Sequence, residues 1–306
     1  MDQKEAEGFA AAYLKLSKKE LKEKIRRVEA IIKDCTLCPR SCRVDRTAGE
    51  SGFCKTGDKP FVSSYNPHFG EEKPLVGRHG SGTIFFTRCS LGCLFCQNWT
   101  ISHLDGGNIY SFEALAEIML TLQNYACHNI NFVTPTHQVY QILKSLELAI
   151  DKGLKIPLVY NCGGYESVET LKILEGVIDI YMPDFKYADP EAALKYSKAK
   201  DYPEIAKAAI KEMHRQVGDL LIDNRGVALR GLLVRHLVLP EGVAGTEEIV
   251  KFLAEEISPD TYTNIMAQYY PCYKAVEHPP LDRRITHEEF RKAVKAARDA
   301  GLKRLD

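Results

Sequence analysis

GTIFFTRCSLGCLFCQNW, residues 82–99, runs from an apolar segment directly into three cysteines. Residues 82–87 are rich in aromatic and β-branched side chains, the composition of a strand buried on both faces. Cys89, Cys93 and Cys96 follow at C-x3-C-x2-C spacing, on the loop that leaves this strand. A closed tetrahedral site takes four protein ligands, and this loop offers three. Three thiolates at this spacing can bind three irons of a 4Fe-4S cube and leave the last iron open to a substrate or cofactor. Gly92 permits the tight turn that such a loop requires.

Downstream the pattern is regular. Ser111 caps a helix in FEALAEIMLTLQNYAC, NINFVTP is a strand, and THQVYQILKSLELAIDKG is a helix stopped at Gly153. KIPLVYNCGGY is a strand, SVETLKILEG a helix capped by Ser167, and VIDIYMPDFKY a strand. Residues 189–218 hold two helical pieces broken before Pro203. LRGLLVRHLVLP and TYTNIMAQYYP are strands around the helix GTEEIVKFLAEEIS, and a last helix opens on a Thr286/Glu289 capping box. Strand and helix alternate about six times, and the strands are nearly continuous apolar runs. This predicts an α/β fold, a parallel sheet covered by helices, built as a partial (β/α)6-type barrel. A full barrel and an open doubly wound sheet are the structural alternatives. In each, active residues belong on loops after strand C-terminal ends.

Upstream the character changes. Leu14, Leu21, Ile25, Val28 and Ile32 recur at helical spacing and predict a helix over 1–33. Residues 35–80 are rich in proline and glycine and keep no period, so a loop-rich segment is expected. Cys35, Cys38, Cys42 and Cys54 put four thiols into this stretch, enough to close a zinc site or ligate a second Fe-S cluster. Metal binding is expected to supply the folding energy of a segment without a core. The expected division is residues 1–80, the helix and four-cysteine segment, and residues 81–306, the core domain.

The chain has 306 residues, 45% of them hydrophobic, enough for a sizeable core. Lys plus Arg equals Asp plus Glu at 41 each, which argues against a nucleic-acid partner. The first twenty residues are charged and lack a signal-peptide core, and no apolar run is long enough to span a membrane. A cytoplasmic location is expected. There the ten cysteines are not a disulfide framework, and their two clusters point to metal chemistry.

C-x3-C-x-aromatic-C, with Phe95 before Cys96, resembles the signature of the radical S-adenosylmethionine (SAM) superfamily. Within it, YNCGGY, IYMPDFK, VRHLVLP and QYYPCYK resemble successive strand ends of the pyruvate formate-lyase activating enzymes. The whole chain, with its N-terminal CxxCPRxC segment, resembles an uncharacterised activase-like branch. The resemblance implies that Cys89, Cys93 and Cys96 hold a 4Fe-4S cluster whose open iron binds SAM. SAM is then cleaved reductively to a 5′-deoxyadenosyl radical that abstracts hydrogen. Thr134-Pro135-Thr136 stands where the family carries Gly-Gly-Glu, so Thr134 and Thr136 are candidate SAM contacts in a loop without its glutamate. Asn161, Asp184, Lys186, Arg235 and His236 are further candidate SAM contacts. Cys162 is a weak candidate for approaching the radical, while Cys127 and Cys272 read as small core residues. The activase analogy implies an oxygen-sensitive enzyme with a flavodoxin or ferredoxin donor and a glycyl radical enzyme as partner. A radical enzyme acting on a small molecule or another side chain is the nearer alternative; a non-catalytic Fe-S or zinc protein is the farther one.

Overall fold

The computed structural model describes residues 8–306. The expected N-terminal helix falls partly outside them; within them it is α1 (Lys18–Lys33). The Ser17 hydroxyl accepts the Glu20 N–H, and the Glu20 carboxylate accepts the Ser17 N–H, so a capping box sets the start. Leu21, Ile25, Val28 and Ile32 are buried, whereas Leu14 precedes the cap and is exposed.

The strands are β1 (Phe61–His68), β2 (Ser81–Phe86), β3 (Asn108–Ile109), β4 (Ile130–Val133), β5 (Leu158–Cys162), β6 (Ile180–Pro183), β7 (Leu221–Ile222), β8 (Ala228–Leu237), β9 (Tyr262–Met266) and β10 (Arg304–Leu305). The helices after α1 are α2 (Lys73–Val76), α3 (Trp99–Ser102), α4 (Phe112–Asn124), α5 (Val139–Asp151), α6 (Val168–Leu174), α7 (Pro190–Ser197), α8 (Tyr202–Val217), α9 (Thr246–Phe252) and α10 (His287–Asp299). Strand order is β10-β9-β8-β6-β5-β4-β2-β1-β3, with β7 on β8. From β2 to β10 along this order every pair is parallel, and the sheet stays open. It is the partial α/β barrel that the alternation predicts.

Two features depart from that reading. β1 lies in a stretch predicted as loop; FVSSYNPH carries a proline and no clean alternation, yet it runs antiparallel beside β2. β1 extends the sheet, and α1 packs on α5 and α6. Ser167 precedes α6 but makes no side-chain cap bond.

Residues paired across a sheet share a face. Val133, Asn161 and Met182 are abreast, as are Asp184, Arg235 and Asn264. Below them on this inner face, Val159, Ile180 and Leu233 pack with Met182, Leu75 and Leu220. The alternate residues Phe86, Phe132, Tyr160, Tyr181 and Val234 enter the larger core that the helices cover. Phe132 is fully buried and stacks on Phe86 with ring centroids 6.1 Å apart. Phe132→Ala is expected to lower stability by about 3–5 kcal/mol. A reduced urea midpoint at unchanged m-value is the check; a loss below about 1 kcal/mol would show that this core collapses around the gap.

Candidate active site

The three-cysteine loop leaves the C-terminal end of β2. Gly92 holds φ at +77°, as the turn requires. Cys89 Sγ accepts the Leu91 N–H at 3.3 Å, Cys93 Sγ accepts the Ser197 hydroxyl at 3.0 Å, and Cys96 Sγ lies 3.2 Å from Ser102 Oγ. The loop is anchored at its far side, where Leu94 N–H donates to Tyr196 O and Lys274 N–H to Leu94 O. Burial, reinforced by Cys93, pushes the Cys89 thiol up to about 12 and raises Cys96 as well. Among the described residues no three Cys, His, Asp or Glu side chains converge on one point as placed. Each thiol of this loop has its own hydrogen-bond partner, and cluster binding must draw the three together and deprotonate them. Three thiols on one loop, with a cation beside them, are a donor set that fits an Fe-S cluster.

That cation is Lys186. Its ammonium lies 2.6 Å from Asp184 Oδ2 and feels Cys93. Burial opposes its charge, but Asp184 and Cys93 hold its pKa above the ordinary range. Arg235 Nε donates to Asp184 Oδ1 at 2.8 Å and Arg235 Nη2 to Asn161 Oδ1 at 2.7 Å. Burial raises the Asp184 carboxyl, and the two cations outweigh it and hold it below the usual range. Four of the expected residues thus form one polar group on the inner face. Its makeup of amide, carboxylate, ammonium and guanidinium suits a zwitterionic, ribose-bearing ligand such as SAM.

Sequence reasoning missed two members. Glu71 and Glu72 reach the far side of Arg235, at 3.7 and 3.9 Å. Asn264 Nδ2 donates to Glu72 Oε1, while Glu72 Oε2 is buried without a partner. Burial lifts Glu71 to about 7, against the pull of Arg235. The pair comes from FGEEKP, a loop without periodicity, and only the fold carries it to β8.

Two other expected contacts, His236 and Thr136, face elsewhere, as does Cys162. His236 is adjacent to Arg235, so strand alternation turns its ring to the opposite face. There Nδ1 meets Phe185 O and Nε2 meets Thr246 Oγ1, each at 2.8 Å. Cys162 follows Asn161 and is turned away likewise, into the helix-covered core with Tyr160. It does not face the three-cysteine loop. Thr136 is buried, and its hydroxyl donates to Glu166 Oε1 at 2.7 Å. Thr134 remains at the exit of β4, its backbone in the left-handed region at φ +58°, a conformation that β-branched residues seldom adopt. Its N–H donates to Asn161 O at 2.8 Å.

The four-cysteine segment lies beside this site. Cys35, Cys38, Cys42 and Cys54 line one small cavity with Arg40 and Phe53. All ten cysteines of the chain are free.

Glu166 also receives the Tyr160 hydroxyl, 2.9 Å from Oε2. Burial lifts its pKa from the ordinary 4.5 to about 7, against the hydrogen bonds from Thr136, Tyr160 and Cys162. The native state therefore binds the extra proton between these values, and this contribution to stability is lost as pH rises through about 7. Glu166→Gln is expected to gain stability relative to the parent between about pH 4 and about pH 8, measured as the difference in urea midpoints. A difference independent of pH would mean that Glu166 is ionised throughout.

Comparison with known proteins agrees with the cysteine loop. Residues 83–225 match the model of the radical SAM superfamily. An uncharacterised protein of Methanocaldococcus jannaschii is 36% identical over 300 residues, covering 95% of this chain and 81% of the relative. A second uncharacterised protein of that organism is 24% identical over 265 residues, covering 80% of this chain and 73% of the relative. A solved methylornithine synthase structure covers 99% of this chain and 84% of its own at 12% identity, with a TM-score of 0.44. No helix among the described residues is long and apolar enough to cross a membrane. The cysteine loop at the exit of β2 and the match that spans it identify residues 83–225 as a radical SAM superfamily domain.

Proposed function

We propose that the protein is a radical SAM enzyme of the activase-like kind, acting on a glycine of a partner glycyl radical enzyme. The observation that carries the radical reading is the placement of Cys89, Cys93 and Cys96 beside the Lys186–Asp184–Arg235–Asn161 group. When bound, the 4Fe-4S cluster and SAM supply reductive cleavage of SAM and hydrogen abstraction. Cys89, Cys93 and Cys96 hold the cluster as thiolates. Arg235 and Lys186 meet a carboxylate, Asp184 and the Glu71/Glu72 pair meet an ammonium, and Asn161 meets a hydroxyl. The Glu71/Glu72 pair is the carboxylate source for a chain whose Thr134-Pro135-Thr136 loop has none. The inner core of Val159, Ile180, Met182 and Leu233 keeps water from this group.

The glycine target is supported by the order of strand-end segments shared with the activases and by the open sheet, which leaves a side for an extended peptide. An electron donor of flavodoxin or ferredoxin type belongs to the same reading. The four-cysteine segment is the second metal site, of zinc or Fe-S type.

The test is anaerobic. Reconstituted protein with dithionite and SAM is expected to form 5′-deoxyadenosine, and Cys93→Ala is expected to abolish it. Asp184→Ala, which unpairs Lys186 and Arg235, is expected to lower the rate by about tenfold to a hundredfold through weaker positioning. Deuterium moving into 5′-deoxyadenosine from a partner labelled at glycine Cα supports the activase role. Labelled partner that yields only unlabelled product moves the target to a small molecule or another side chain. Absence of 5′-deoxyadenosine from fully loaded protein ends the radical reading.

A further inference from the structure

Arg40 sits between two cysteines of the four-cysteine segment, Cys38 and Cys42, yet its guanidinium is spent on another part of the chain. Nε donates to Ser90 O at 2.9 Å, and Nη2 donates to Leu91 O at 2.9 Å and to Ser197 O at 3.1 Å. Nη1 donates to Lys198 O. Ser90 and Leu91 lie between Cys89 and Cys93, and Ser197 is the residue whose hydroxyl meets Cys93 Sγ. One side chain thus ties two carbonyls of the three-cysteine loop to two at the C-terminal end of α7. Arginine alone has a rigid five-donor fork that can do this.

The other half of the segment completes the grip. Arg40 Cζ lies 4.0 Å from the centroid of the Phe53 ring, beside Cys54, and 5.2 Å from that of Tyr165. Phe53 also covers the loop's turn: a Cβ added to Gly92 would come within 3.2 Å of the Phe53 ring. Both residues that hold the loop are therefore carried between the four cysteines.

The segment has little regular backbone structure of its own; buried Arg46, which donates to Gly57 O and His137 O, and the Thr170 hydroxyl on Leu37 O tie it to the body but leave its cysteines unlinked. Between residues 35 and 60 the one regular piece is a three-residue turn of helix, Arg46–Ala48. A single rung, Cys35 N–H to Val44 O and Arg43 N–H to Cys35 O, ties its start. As placed, the four thiols line one small cavity without converging on a point, so an ion must draw them in; four thiolates in one segment are the donor set of a closed tetrahedral divalent site.

We infer that the four-cysteine segment is a metal-organised clamp: Cys35, Cys38, Cys42 and Cys54 take one zinc-class divalent ion, and Arg40 and Phe53, fixed by it, hold the three-cysteine loop in shape. Arg40 is a positioning residue, since it touches backbone carbonyls and no thiol of the loop. The consequence for catalysis rests on the radical SAM reading above; the clamp itself does not.

The ion is tested in a full-length chain carrying Cys89→Ala, Cys93→Ala and Cys96→Ala. After zinc addition and dialysis it is expected to retain about one zinc per chain without sulfide, and to lose it on further Cys38→Ser. Zinc-free protein, or iron with sulfide instead, overturns the single ion. The clamp is tested in zinc-loaded, cluster-free protein by the rate of N-ethylmaleimide alkylation at each cysteine, read by peptide mass spectrometry. Arg40→Met and Arg40→Lys are both expected to speed alkylation of Cys89 and Cys93 by about tenfold through local opening, leaving Cys127 and Cys272 unchanged. Stripping zinc is expected to produce the same acceleration in the parent and add nothing in Arg40→Met. Phe53→Leu, which keeps Arg40, is expected to give a smaller increase and serves if Arg40→Met fails to fold. Equal rates at Cys89 and Cys93 in the parent and the folded variants overturn the clamp. Accelerated alkylation without 5′-deoxyadenosine formation by the loaded parent leaves the clamp standing and removes the radical reading.

Discussion

Asp184 and Arg235 stand abreast on neighbouring parallel strands, joined at 2.8 Å, and the inner face is organised around them. Neither charge is tolerable there alone. Desolvation disfavours each, and the field of the partner restores it. Lys186 enters on one side, Asn161 on another, and Glu71 and Glu72 close the third. The pair adds little net stability by itself, because such pairs roughly repay their desolvation. Its worth is registry: it fixes which side chains gather at the end of the sheet nearest the three cysteines.

The same alternation that assembles the inner group removes neighbours from it. His236 and Cys162 are each one residue from a member, Arg235 and Asn161, and each is turned into the helix-covered core. The polar network around Glu166 has a corresponding origin. Tyr160 lies on the outward face of β5, Thr136 at the start of the crossover from β4 to β5, and both satisfy a carboxylate that the inner site never sees. One sheet thus carries two polar groups back to back. The inner one has an unpaired carboxylate oxygen, whereas both Glu166 oxygens are occupied.

Much of the fold is legible in the amino-acid order. The parallel strands are nearly continuous apolar runs, and that pattern arises only when helices cover the sheet. The Thr286/Glu289 box and the Ser111 cap are local signals, read by rules that span one turn of helix, and both hold in the structure. β1 was not legible, because FVSSYNPH owes its strand conformation to the neighbouring edge of β2 rather than to its own composition. Glu71, Glu72 and Arg40 were illegible for a related reason. Each acts on residues more than fifty positions away, or on backbone carbonyls that carry no side-chain signature.

The sequence by itself determined the class of chemistry, through three cysteines at a fixed spacing after a buried strand, and it determined the helix-covered parallel sheet. Both are short-range properties, spelled out by adjacent residues and their periods. Only the tertiary structure decided which polar residues share a site. Side-chain direction alternates at every step of a strand, and the pairing between strands settles which alternate faces inward. It also decided that the four-cysteine segment leans on the three-cysteine loop through Arg40, a contact between two stretches of chain that no local rule connects.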